Sequence, residues 1–353
     1  MARRALALTA SLGLLLAIAL PAEAKNINAQ NLYHVNRLFA DTPGAAAQTD
    51  PNLVNGWGIV ASATSPWWVS DNGTSKSTLY NGTSGAKLGL TVTVPGAPTG
   101  IVFNGSASDF KVKVGAADPA AARFIFATVA GEIDGWNGQG TVAINGVTTP
   151  DAVYLGLAIG SSGGANYLYA ANFTQATVDA FDGLWAPAHL AGDFTDPGLP
   201  AGYAPFGIQN IGGEIFVAYA KQNADGDEEV EGEGLGVVSV FGTDGTFHGR
   251  VATGAELNAP WGLAMAPTNF GKFSGNLLVG NFGDGRIHAF KKAAGGWEEH
   301  GVIKGTNHRP ISIDGLWGIG FGNGTGSGPT STLFFAAGPD DETHGLFGSI
   351  TAP

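Results

Sequence analysis

Apolar residues in this chain come in short runs of strand length and not in helical stripes. Between Asn258 and Phe290, three such runs are separated by breaks that carry Gly or Asn, residues that tolerate φ > 0 in tight turns. The pattern predicts a small antiparallel meander. A lone meander is marginal in water and needs neighbours of its own kind.

The rest of the chain supplies them. A step of one residue, then Gly, then Ile or Leu recurs as Trp57-Gly58-Ile59, Thr99-Gly100-Ile101, Leu155-Gly156-Leu157, Phe206-Gly207-Ile208, Trp261-Gly262-Leu263 and Trp317-Gly318-Ile319, with glycines 42, 56, 51, 55 and 56 residues apart. Each step leads to a second apolar run, and in five copies a third run ends in an aromatic before a turn, as in Tyr80-Asn81-Gly82 and Trp136-Asn137-Gly138. Repeats of a three- to four-strand unit at this period predict an all-β fold, a six-bladed β-propeller. The sixth copy ends without a fourth strand, and Leu32 to Phe39 is a strand-like run with no unit of its own. Placing it as the outer strand of the last blade closes the ring and satisfies both open edges.

Composition agrees with this reading. Fifty-six glycines in 353 residues disfavour long helices. Residues 1–24 read as a secretory signal: Arg3 and Arg4, an apolar run to Leu20, then Ala22-Glu23-Ala24 as a small-x-small cleavage site. The expected product, residues 25–353, is then a single domain that is secreted or periplasmic, with no membrane span after cleavage and a monomeric state. Without cysteine, such a chain draws its stability from a packed core and not from disulfides. The formal charge of −12 becomes −13 once two Arg and one Glu leave with the signal. This charge excludes nucleic acid as a partner and favours cations or basic groups.

The blades resemble the NHL and gluconolactonase-type six-bladed propellers, and the chain is similar to a family of exported bacterial propellers. The residues that carry the resemblance are Asn258-Ala-Pro-Trp-Gly-Leu, Leu278-Val-Gly-Asn-Phe-Gly-Asp-Gly-Arg-Ile and Ile313-Asp-Gly-Leu-Trp-Gly. It implies a site at one face of the disc. In the calcium-dependent lactonases and phosphotriesterases of this fold, Ca²⁺ is held by side chains that often stand just before the Gly opening an inner strand. Here Trp57, Thr99, Leu155, Phe206, Trp261 and Trp317 occupy those positions, so no catalytic residue is carried over. Asn55 and Asp314, slightly upstream, are the shifted candidates.

One face gathers the inner-strand entries and the turns from second to third strand, with Asp71, Asp134, Asn281, Asp284, Asp314, Asp341 and Glu342 among them. Crowded carboxylates repel unless a cation intervenes, and hard oxygen ligands suit Ca²⁺; turn chemistry alone also enriches Asp and Asn. Asn223, Asp225, Asp227, Glu229 and Glu231 alternate oxygen side chains like the first half of a calcium loop. Glu228, however, stands where an EF-hand needs its glycine. A calcium-binding loop and a solvated acidic insertion both fit. Trp57, Phe206, Trp261 and Trp317 have two readings as well, an aromatic wall for a sugar or apolar ligand or core packing. There is no Cys nucleophile, Gly-x-Ser-x-Gly elbow or P-loop, and His308 and His344 are the acid-base candidates. The expected function is a non-catalytic module binding a small molecule, glycan or protein through an acidic, calcium-responsive face. The alternative is a calcium-dependent lactonase or phosphotriesterase.

Overall fold

The computed structural model describes residues 30–353; the expected signal segment lies outside them. Six antiparallel sheets form six blades. Counting from the axis outward, blade 1 runs Gly56–Val60, Trp67–Asp71, Lys76–Asn81 and Ala86–Thr93, and blade 2 runs Pro98–Phe103, Phe124–Thr128, Glu132–Trp136 and Ile144–Thr148. Blade 3 has three strands, Tyr154–Ser162, Ala165–Asn172 and Thr177–Asp182. Blade 4 comprises Tyr203–Ile211, Glu214–Gln222, Val237–Gly242 and Phe247–Thr253, with the short strand Glu229–Val230 added to its second strand. Blade 5 comprises Pro260–Met265, Leu277–Asn281, Ile287–Ala293 and Gly296–Val302. Blade 6 comprises Leu316–Phe321, Thr332–Ala337 and Leu346–Thr351, its fourth strand is His34–Ala40, and the short strand Gln48–Thr49 pairs parallel with the outer side of that strand. The fourth strand pairs antiparallel with Leu346–Thr351, His34 facing Thr351 and Ala40 facing Leu346.

The repeated glycine has a steric cause. At each one the inner strand meets the backbone of the next blade's inner strand. A Cβ on Gly58 would come 2.5 Å from the Thr99 carbonyl oxygen, on Gly262 2.6 Å from that of Trp317, and on Gly318 2.6 Å from that of Trp57. The last relation sets blade 6 against blade 1. Away from the axis the blades are far enough apart for large side chains, and each junction is an apolar layer. Trp68 stacks on Phe124 between blades 1 and 2, with centroids 4.0 Å apart, and Phe216, Val240, Leu263 and Val279 fill the junction of blades 4 and 5.

Two acids expected in turns are buried strand residues. Asp71 ends the second strand of blade 1 at 0% exposure, and Asp134 sits within the third strand of blade 2 at 1%. Among the described residues no helix is long and apolar enough to cross a membrane.

Candidate functional site

The ring axis is filled. Trp317 is fully buried and lies in face contact with Trp57, at 3.8 Å between centroids, and with Phe282 at 4.1 Å. Phe206 is also fully buried and packs on Trp317 at 5.5 Å. Trp261 is half-buried, edge-on to Trp317, and its indole N–H donates to the Leu155 carbonyl at 3.0 Å. Below this plug, residues of the six inner strands enclose about 30 Å³, room for about one water. Three of the four aromatics proposed as a ligand wall are therefore packed into one another, and only Trp261 keeps an open face.

Above the plug is the mouth. A cleft of about 210 Å³ is lined by Glu231, Asp284, Asp314, Asp341 and Glu342, with Phe282 among its apolar residues. No Lys or Arg lines it; Arg286 approaches Asp284 from outside the lining, its guanidinium 3.7 Å from the carboxylate. The loops that present these acids are held by backbone geometry. Asp340, Asp341 and Glu342 follow one another at φ of 55°, 51° and 61°, left-handed conformations that cost L-residues roughly 1–2 kcal/mol each. The Asp314 carboxylate accepts the Asp340 N–H at 2.9 Å and anchors this turn. Glu231 is brought in by the loop after Glu229–Val230, where the Gly232 N–H donates to Asn258 Oδ1 at 2.7 Å. Asn55 links mouth to plug. Its Oδ1 accepts the Trp317 indole N–H at 3.1 Å, and its Nδ2 donates to Glu342 at 2.5 Å and to Asn72 at 3.4 Å.

Electrostatics record the crowding. Burial and then the carboxylates of Asp314, Asp341 and Asp284 push Glu231 above the usual range. Glu342 is raised by burial, then by Glu228 and Glu231, against the Asn55 hydrogen bond. Glu229 is pushed up to about 7, chiefly by burial, with Glu342, Glu231 and Glu228 adding to it.

The acidic loop divides. Asn223 folds onto its own turn, its Nδ2 donating to Asp227 at 2.8 Å and its Oδ1 accepting the Gly226 N–H at 2.8 Å. Asp225 and Asp227 are exposed, whereas Glu229 is in a strand and Glu231 at the mouth. The five therefore do not wrap one point. Asn281 is fully buried, its Nδ2 donating to the Glu256 carbonyl at 2.8 Å, and it does not line the cleft. His308 is exposed, and His344 is paired with Asp41 at 2.8 Å outside the cleft. Among the described residues no three His, Asp or Glu side chains are already spaced to hold a metal ion. Sequence reasoning missed Phe282; its place directly after Asn281, at a turn leaving a second strand, was the signal that could have marked it.

No protein-family model matches the chain. Among solved structures it is similar to a Bacteroides thetaiotaomicron protein of unknown function, with TM-score 0.57 and 10% identity over 90% of this chain and 76% of that one. It is also similar to the soluble aldose sugar dehydrogenase of Escherichia coli, with TM-score 0.51 and 13% identity over 91% and 100%. Identities this low establish the propeller fold and nothing about chemistry. In sequence the chain is 32% identical to uncharacterised protein R648 of Acanthamoeba polyphaga mimivirus over 339 residues, covering 90% of this chain and 80% of that protein. With uncharacterised protein L690 of the same virus it shares 32% over 335 residues, covering 90% and 85%. The chain belongs to the family of six-bladed β-propeller proteins that includes these two mimivirus proteins.

Proposed function

We propose that the protein is a non-catalytic binding module, working outside the cytoplasm, whose acidic mouth takes a cationic ligand. The observation that carries this reading is the cleft itself: five carboxylates face one space that no Lys or Arg lines. Two unit charges 4 Å apart repel by about 4 kcal/mol at the effective dielectric near a protein surface, so a cation entering the cleft removes a cost already present in the fold. The carboxylates line a cleft without forming a three-ligand set, which favours a cation that keeps some of its waters, such as Ca²⁺, or the ammonium or guanidinium group of a partner. Ester hydrolysis is less well supported, because both ends of the Asn55 amide are occupied by Trp317, Glu342 and Asn72.

Thermal melts of metal-stripped protein test the reading. Binding to the folded state raises the midpoint by mass action, by about 2.7 kcal/mol of stability at a hundredfold excess over Kd. Ca²⁺ or spermidine is expected to raise it. Glu231→Gln with Asp314→Asn should raise the ligand-free midpoint and erase the response, whereas Asp225→Asn with Asp227→Asn should leave it intact. No shift with either cation overturns the proposal, and chelator-sensitive hydrolysis of a lactone or phosphotriester overturns its non-catalytic part.

A further inference from the structure

Blade 3 stops at its third strand, while the other five blades carry a fourth. Only a stub covers its outer edge. The Asp182 N–H donates to the Ala186 carbonyl at 2.9 Å, and the Ala188 N–H donates to the Ala180 carbonyl at 2.8 Å. In an antiparallel ladder alternate residues turn both backbone groups to the same side, so Val178, Ala180 and Asp182 turn theirs outward. Among the described residues no hydrogen bond meets the Ala180 N–H, or either backbone group of Val178, on that side. A strand edge with free donors and acceptors is a template for another strand.

Beside this edge runs a groove of about 440 Å³. Val178, Leu190 and Phe194 give it an apolar side, continuous with the core between blades 3 and 4. Its charged lining is acidic: Asp179 and Asp193 line it with no Lys or Arg. Asp179 accepts only neutral donors, the Tyr154 hydroxyl at 2.8 Å, Asn172 Nδ2 at 2.9 Å and the Thr177 hydroxyl at 2.9 Å, so its charge is not cancelled. Asp193 is exposed. We propose that this edge takes an extended peptide of a partner protein as the fourth strand of blade 3, with apolar residues alternating with Lys or Arg. Main-chain hydrogen bonds to Val178 and Ala180 give the affinity and the alternating side chains give the choice of sequence. The period of two sets apolar residues on the Val178 side and basic residues on the Asp179 side.

The probe is fluorescein-labelled Val-Lys-Val-Lys-Val amide, followed by anisotropy against the full chain. Saturable binding is expected. It should weaken at least tenfold when the peptide amides are N-methylated, and it should vanish when Glu replaces Lys. Val178→Pro removes an outward N–H that no native bond uses and should abolish binding. Should that variant fail to fold, Asp193→Lys, at an exposed site, should weaken binding several-fold with an unchanged melting midpoint. Absence of saturable binding overturns the proposal, as does binding that survives N-methylation. A concentration-dependent dimer that Val178→Pro abolishes overturns it in favour of a second copy of this chain.

Discussion

Two buried carboxyl groups, those of Asp71 and Asp134, have no ion-pair partner among the described residues. Both oxygens of Asp71 and Oδ2 of Asp134 are buried without a hydrogen-bond partner, while Asp134 Oδ1 accepts Asn145 Nδ2 at 3.2 Å. Burial pushes Asp71 well above its ordinary value and Asp134 up to about 7. For an acid whose pKa is raised by folding, the folded state binds more protons than the unfolded chain between the two values. Asp134 therefore supports stability fully below about pH 4, and this support is lost as pH rises towards 7. Asp134→Asn keeps the Asn145 contact and removes the ionisation. It is expected to raise stability at pH 8 by about 2 kcal/mol, at roughly 1.4 kcal/mol per unit with allowance for solvent relaxation, and to flatten the decline between pH 4 and 7; urea titrations across that range measure it. Neither acid could be placed from sequence. Within or at the end of a five-residue strand, an Asp that faces inward and an Asp that belongs to a turn leave the same mark in the sequence, and only packing against the neighbouring blade decides between them.

The inner strand carried the clearest signal in the sequence, because its glycine answers to a single contact. Gly262→Ala would drive a Cβ to 2.6 Å from the Trp317 carbonyl oxygen. Backbone on both sides cannot yield cheaply, so the substitution should cost about 1–3 kcal/mol, as overpacking does, read as a lower melting midpoint. The same contact repeats around the axis, and its period is what makes six blades legible in the amino-acid sequence. The outer strands were less legible because their neighbour is solvent on one side and they need no fixed residue. Blade 3 shows the limit: Ala186-Pro-Ala-His-Leu190 contains apolar residues without the period of a strand, and its pairing ends after two hydrogen bonds. At the mouth, sequence grouped Asp284, Asp314, Asp341 and Glu342, which line one cleft, since Asp314 lies at the entry to an inner strand and the other three lie in turns that leave a second strand. It could not tell that the loop from Asn223 would keep Asp225 and Asp227 in solvent and deliver Glu231 alone, because that depends on Gly232 meeting Asn258 across the fold.

At the scale of the whole molecule, the sixth blade is the one sheet built from distant parts of the chain. His34–Ala40 covers the edge of Leu346–Thr351, with Phe39 and Ala40 each 1% exposed. A chain beginning at Asp41 should melt at a lower temperature and associate in sedimentation experiments, because an uncovered edge strand recruits another; an unchanged midpoint and a monomeric boundary would show that the strand is dispensable. Such a distant pairing is also costly to close, so the blade is expected to form late in folding. The pairing has a mechanical side. His34 lies opposite Thr351 and Ala40 opposite Leu346, so a pull applied at residues 34 and 351 loads the ladder from one end only. Its hydrogen bonds would then break one after another under a small force, and the sixth blade would shed its fourth strand while the other five blades, each a continuous stretch of chain, hold their shape.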